Sequence, residues 1–403
     1  MTKSCEDLLD LLIEVGGEQW SINATKEFLS KSLHDSYTPV NYKLEEYSSA
    51  VFKSLWTKEL DFPFNGQGNA SVYSNGFNDE VPQNVRFKAG QFSGNHELNQ
   101  LGGHIWHDTG DAHGNVYDYY TRSIDVFKNS TIPGLLATAL TGGTSVCMLS
   151  TWENDHALNF VNEDIENENN SLNAGVYIVH IRDKSSLTVK ESILNGKDMY
   201  LNKWIYIIGY DSKLELTREI INSNGVVDDV SIIQYPGSEL IVNTYDKDPQ
   251  WRHLDITAYQ NTTTTVNGSV LCKNSSSSHN VIVNHKGNNS TSTIKYHSAI
   301  YNNNVTDFIG SINVDKKAVG TNSSMINKNL LMDKTSKAKS IPKLNINTKE
   351  IQCTHGCTIS NVDENEIYYL ETLGVSKTNA RKMIADGHIQ IWLTATQEIN
   401  LRH

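Results

Sequence analysis

From residue 131 to about 345 the chain carries one short strand-like run after another and no stretch with a long helical period. The runs Val176 to Ile181, Trp204 to Ile208, Lys213 to Leu216, Ser231 to Gln234, Glu239 to Asn243 and Asn280 to Asn284 are dense in Ile, Val, Thr and Tyr. Asn, Gly, Asp and Ser turns separate them. Alternation is plain inside several: Leu187, Val189 and Glu191 face one way and Thr188, Lys190 and Ser192 the other, while Val281, Val283 and His285 share a side. Strands that follow one another without helices suggest a sandwich, a barrel or a solenoid. Proline is scarce, with Pro236, Pro249 and Pro342 alone after Pro133, which permits continuous ladders without choosing among the three. In a solenoid the runs TTTTVNGS and KNSSSSHN become turn ladders or exposed coil faces; as composition alone they fit linkers equally well. No crisp repeat decides the matter.

Bulk properties narrow the function classes. A chain of 403 residues can bury a large core, and 38% hydrophobic with 20% charged residues is the balance of a soluble protein. A formal net charge of -12 with no basic run argues against nucleic acid as a partner. The odd set Cys5, Cys147, Cys272, Cys353 and Cys357 reads as reduced thiols and not as a disulfide framework. The start, MTKSCEDLLDLLIEVGG, lacks a basic region before an apolar core, and no apolar run reaches the roughly 18 residues of a membrane span. These features predict a cytoplasmic protein without a membrane partner, or one of the plastid stroma in a plastid-bearing source.

Composition divides the chain into four parts: an N-terminal helical segment at 1–60, a loop-rich segment at 61–130, a β core at 131–360 and a C-terminal helical segment at 361–403. Helices are expected over Leu8, Leu11, Leu12 and Val15, and from Thr25 to Leu33. Within the loop-rich segment, LGGHIWHDTGDAHG gathers His104, His107, Asp108, Asp111 and His113. Three imidazoles and two carboxylates suffice for a mononuclear Zn or Fe(II) site if the loop folds on itself, although a solvated polar turn explains the same residues.

The C-terminal stretch carries the densest chemistry. Leu344, Ile346 and Ile351 suit a strand with Pro342 near its start. Cys353, His355 and Cys357 follow at two-residue spacing, so an extended backbone points all three to one face, where they could hold a metal or sulfur species. Spacing alone favours the plainer reading of two small buried cysteines and a hydrogen-bonded histidine. A helix then follows, capped by Asp363, with Ile367, Tyr368, Leu370 and Leu373 as its apolar stripe and Gly374 as its end. A second is capped by Ser376, with Ala380, Met383 and Ile384 on one face and Gly387 as its stop.

The string PKLNI…EIQCTHGCTIS…VDENEIYYLETLGVSKTNARKMI resembles the carboxy-terminal signature of the SufB/SufD family, scaffold components of the Suf iron–sulfur cluster assembly machine, and its SufD-like members in particular. Upstream, NHKGNNSTSTIKYHSAI is similar to the family's H-x-x-x-x-x-T-S-R-x-x-Y-K-G pattern, with Thr293 in place of its Arg and His297-Ser298 in place of its Lys-Gly. The resemblance is strong from about 280 to 387 and weak from about 130 to 279. It implies a right-handed parallel β-helix flanked by helical terminal segments. It also implies a scaffold that pairs with a SufB-like paralogue, or with itself, and binds a SufC-like ABC-type ATPase through the C-terminal helices. Carried onto this sequence, Cys353 and His355 would handle iron or a transient iron–sulfur cluster at the partner interface, and Gly356 would supply a tight turn. Cys357 departs from the family's small residue and either adds a ligand or fills space.

Tyr368, Tyr369, Leu370, Arg381, Lys382 and Met383 are the candidate ATPase contacts, although the aromatic residues are better suited to the core of the helix pair. No phosphate loop or nucleophile elbow is present, so the chain has no ATP site of its own and reads as a non-enzyme. Two other classes compete. A β-solenoid binding or carbohydrate-active module of fibre or lyase type would explain the Asn, Ser and Thr ladders but not a Cys-x-His-Gly segment before a helix pair. A metal-dependent enzyme would use His104, His107 and His113.

Overall fold

A computed structural model describes residues 83–88, 91–92, 104–107, 146–150, 156–163 and 172–390, the last without 182, 195–198, 222–224 and 248–249. In chain order it contains β1 (Gln83–Lys88), β2 (Gln91–Phe92), β3 (His104–His107), β4 (Val146–Ser150), β5 (His156–Glu163), β6 (Leu172–Ile181) and β7 (Ser186–Leu194). Then come β8 (Met199–Ile208), β9 (Lys213–Ile221), β10 (Gly225–Gln234), β11 (Glu239–Lys247), β12 (Gln250–Ala258) and β13 (Thr263–Cys272). The last strands are β14 (Ser277–His285), β15 (Thr291–Ile300), β16 (Val305–Val314), β17 (Asn322–Leu331), β18 (Lys337–Ile346) and β19 (Gln352–Asn361). Two helices close the described chain, α1 (Glu364–Thr372) and α2 (Lys377–Ile389). The expected helices before residue 60 lie outside the described residues.

Odd-numbered strands other than β3, with β2 at the far edge, form a ten-stranded sheet, and even-numbered ones from β4 on, with β3 at the far edge, a nine-stranded sheet. Each strand from β5 to β17 pairs in parallel with the strand two places on, so the chain winds from one sheet to the other and back: a parallel β-helix. The ladder also reaches upstream of residue 131, since β1 pairs in parallel with β5, and strands β1 to β3 stand in the segment expected to be loop-rich.

The recurring Asn, Gly and Asp separators are the corners. Lys184, Asp211, Gly237, Asn261, Asn289 and Gly320 occupy equivalent corners with φ of 58°, 53°, 79°, 56°, 56° and 74°. Asn and Asp visit this left-handed region at low cost, and glycine at none. At Gly237 a Cβ would come within 2.1 Å of Asp211 Oδ1, so a side chain there would have to displace the Asp211 carboxylate as well as accept the strained φ. The corners stack through backbone bonds, for instance Gly237 N–H to Gln260 O at 3.0 Å and Asn261 N–H to Asn288 O at 2.9 Å.

Period two fills the interior. In the even sheet Trp204, Val230, Leu254 and Val281 lie in one register column and Tyr206, Ile232, Ile256 and Val283 in another, all buried. In the odd sheet Leu214, Leu240 and Thr264 continue a third. Fully burying one aliphatic side chain contributes about 1.5–3 kcal/mol, and the repeated columns extend that gain coil by coil. The run TTTTVNGS starts at a corner with Thr262 and continues in β13, where Thr264, Val266 and Gly268 face inward, a Cβ at Gly268 striking the Tyr296 ring at 2.2 Å. Thr263, Thr265 and Asn267 form an outer coil face, on which Thr291 Oγ1 donates to Thr263 Oγ1 at 3.4 Å and Asn267 to Asn243 Oδ1 at 2.9 Å. The run KNSSSSHN divides, with Lys273 and Asn274 exposed at a corner and Ser277 to Asn280 buried in β14.

A band of charge crosses the apolar interior. Arg218 Nη2 lies 2.9 Å from Glu191 Oε2 and 2.8 Å from Asp228 Oδ2, and Arg252 Nη1 donates to Asp246 Oδ2 at 2.9 Å. Burial pushes Glu191 up to about 7 and Asp246 up to about 6, against the opposing pull of Arg218 and Arg252 respectively. The inward direction of Glu191 was legible from alternation; its arginine partners were not.

The helix caps form as expected. Asp363 accepts from Asn365 N–H at 2.8 Å, Ser376 accepts from Asn379 N–H at 3.4 Å, and Gly374 turns the chain with φ of 86°. The faces differ from expectation. In α1 only Ile367 is buried, while Tyr368 and Tyr369 are 69% and 63% exposed, so the aromatic pair is not core. In α2 Ala380, Ala385 and Ile389 are buried and Met383 is exposed, while Gly387 lies within the helix and does not stop it.

Candidate functional site

Strand β19 is the last of the odd sheet, and it carries the Cys/His segment. Register places Cys353 beside Ser323, His355 beside Met325 and Cys357 beside Asn327. Those three neighbours on β17 are buried and point inward, so the three donors share the inward face, as two-residue spacing requires. Among the described residues no strand stacks beyond β19, which leaves His355 and Cys357 exposed and Cys353 half-buried against the core. The site is thus the open mouth of the helix.

A strand rises about 3.3 Å per residue, so alternate Cα atoms stand about 6.6 Å apart and the outer pair about 13 Å apart. Zn–S and Zn–N bonds are about 2.0–2.3 Å. Three donors spread so far along one strand do not converge on one ion, and among the described residues no group of three or more His, Cys, Asp or Glu could hold a metal. Any ion here needs donors from outside the strand. Burial holds the Cys353 thiol above its ordinary value, a backbone hydrogen bond at Ser323 opposing it, so Cys353 is protonated at neutral pH. Gly356 lies mid-strand in β19, and nothing stands within 4 Å of a Cβ built on it; it makes no turn, and the open space beside it would admit a side chain.

Beside this edge the helices are clasped to the odd sheet. Arg381 donates through Nη1 to Met332 O and through Nη2 to Glu364 Oε1, tying α2 to the end of β17 and to α1. His297 Nδ1 donates to His388 O at 2.8 Å and Ser269 Oγ to Ile389 O at 2.6 Å. Among the candidate ATPase contacts Tyr368, Tyr369, Lys382 and Met383 are free at the surface, Leu370 is half-buried and Arg381 is committed to the clasp. His104 and His107 fall in β3, opposite Ser150 and Cys147, but their side chains and all of Asp108, Asp111 and His113 lie outside the described residues.

The family model for the SUF system FeS cluster assembly SufBD core domain matches residues 165–388, more than half of the chain. The chain belongs to the SufBD family. The match covers the β-helix from β6 onward and nearly all of both helices, well beyond the stretch in which the resemblance was strong. Among relatives, the iron–sulfur cluster assembly protein SufD of Escherichia coli is 38% identical over 77 residues, 19% of this chain and 18% of that protein. A SufBD family protein of Synechocystis is 32% identical over 79 residues, 20% of this chain and 17% of its own length. Another from Staphylococcus aureus is 30% identical over 106 residues, 26% of this chain and 23% of its own. The chain thus spans under a quarter of the length of each of these SufBD relatives.

Proposed function

We propose that this SufBD chain is a SufD-like scaffold of a Suf-type iron–sulfur cluster assembly complex. Its open mouth pairs with a SufB-like chain, and its C-terminal helices seat a SufC-like ATPase. The observation that carries the reading is the placement of Cys353, His355 and Cys357 on the inward face of β19, the end strand of its sheet among the described residues. Thiolate and imidazole are natural iron ligands, and a site that supplies them from one edge is complete only when a second chain brings the rest. Iron and sulfide are then cargo held between chains, with Cys353 and His355 as this chain's share. The exposed Tyr368, Tyr369 and Met383 give the helix pair an apolar surface for the ATPase. ATP-driven movement of that partner would open and close the mouth.

The test is anaerobic size-exclusion chromatography with light scattering of this chain mixed with SufB-like and SufC-like proteins from the same source. A stable assembly of one copy of each scaffold chain and two of the ATPase supports the reading. Elution of the chain alone at every ratio contradicts it. Given assembly, His355→Ala should keep the complex but lower cluster yield, read by absorbance after reconstitution with iron and sulfide.

A further inference from the structure

The edge strand of the nine-stranded sheet is basic on its outer face. Strand β18 alternates inward Ala338, Ser340, Pro342 and Leu344 with outward Lys337, Lys339, Ile341, Lys343 and Asn345. The three lysines are exposed on a chain whose formal net charge is -12. Of the side chains in register behind them on β16, Asp307 beside Lys339 is acidic and buried, and Ser311 beside Lys343 is neutral.

The same outer face carries an amide ladder that runs to the edge. Asn284 donates to Asp255 Oδ1 at 2.5 Å, Asn313 to Asn284 Oδ1 at 2.7 Å and Asn345 to Asn313 Oδ1 at 2.7 Å. Each amide donates back to the preceding strand and so turns its oxygen toward the next. Asn345, on the last strand of this sheet among the described residues, presents its oxygen to whatever continues the sheet.

We infer that β18 is a charge-selective edge that accepts a strand bearing Asp or Glu opposite Lys337, Lys339 and Lys343, and that it rejects a second copy of itself. The inference rests on the end-on pairing proposed above and names the chemistry of the partner. Suppose two β18 strands are laid antiparallel with outer faces together. With the pair centred anywhere from residue 338 to 343, a lysine then falls directly across from another lysine or diagonal to one. Like charges opposite each other destabilise a ladder, and exposed lysines on edge strands are a known guard against self-pairing. An acidic strand reverses the sign of the same terms. Opposite-charge pairs contribute about 0.2–1 kcal/mol each, so three together shift affinity by about three-fold to a hundred-fold.

The test uses a charge-reversed copy, Lys337→Glu/Lys339→Glu/Lys343→Glu, as the acidic-edged probe. Sedimentation velocity is run on the wild type, on the variant and on their equimolar mixture, at low and high salt, with thiol labelling of the exposed Cys357 as a marker of end-on seating. The mixture should associate at least about two-fold more tightly than either protein alone, since an antiparallel register sets at most two of the lysines directly across from the new glutamates, and the association should weaken with salt and protect Cys357. Equal self-association of the wild type, or a mixture that behaves as its components, overturns the inference. If that happens while the chain still assembles with SufB-like and SufC-like proteins, the lysine rule alone has failed and the scaffold reading stands.

Discussion

His285 stands between Ala258 and Val314 in an inward column that begins with Ile208 and Gln234. Its Nδ1 meets Ser290 Oγ at 2.6 Å and its Nε2 meets Ser292 Oγ at 2.9 Å, and burial pushes the imidazole down to about 4. Because the folded value lies below the ordinary 6.5, the unfolded chain takes up the proton first. The stability this residue contributes is complete above pH 6.5 and is lost as pH falls through about 4, a change on the order of 3 kcal/mol. Glu191 and Asp246 act in the opposite sense, their raised values giving stability that is lost as pH rises through about 7 and about 6. Only a difference measurement isolates the histidine. His285→Gln should show a smaller fall in urea midpoint than the wild type between pH 7 and 4.5; parallel curves would contradict the assignment. The interior arginine gives a second test. Arg218→Met leaves Glu191 and Asp228 buried without their shared cation and should cost about 3–5 kcal/mol in chemical denaturation. Lys213→Ala, whose partner Glu239 is 44% exposed, should cost less than about 1 kcal/mol.

At the level of elements, α1 and α2 allow stability to be tested apart from the proposed recognition of an ATPase. Tyr368→Ala and Tyr369→Ala remove exposed rings and should change folding stability by less than about 0.5 kcal/mol while weakening ATPase capture. Arg381→Ala breaks the clasp to Met332 and Glu364, so amide exchange should rise across Glu364–Ile389 and leave β8 to β16 unchanged. Uniform exchange changes would place the arginine in the global core instead. The caps were readable because Asp363, Ser376 and Gly374 each satisfy a local backbone need, independent of what packs nearby. The faces were not, because which side of a short helix is buried depends on the outer surface of the odd sheet, where Tyr245, Ala299 and Leu330 receive Ala385 and Ile389. Gly356 misled for a related reason: glycine suggests a turn, and here it sits in an extended strand with empty space above it.

Across the whole molecule, strand content and alternation were written in Ile, Val and Thr spacing, whereas the closure of those strands into one parallel β-helix was carried only by the resemblance to the SufB/SufD family. No residue repeat marks the coils, since the stacking positions at the corners accept Lys, Asp, Asn or Gly alike. The Cys/His segment was found by residue type; that it lies on the exposed last strand of a sheet follows only from topology. That topology makes a single measurement decisive for the scaffold account. Amide hydrogen exchange by mass spectrometry should be followed in β18 and β19 before and after adding a SufB-like chain. The account predicts strong new protection in Lys337–Ile346 and Gln352–Asn361, with the corners near Gly237 and Asn261 unaffected. A partner that binds while both strands keep exchanging as in the free chain would contradict it.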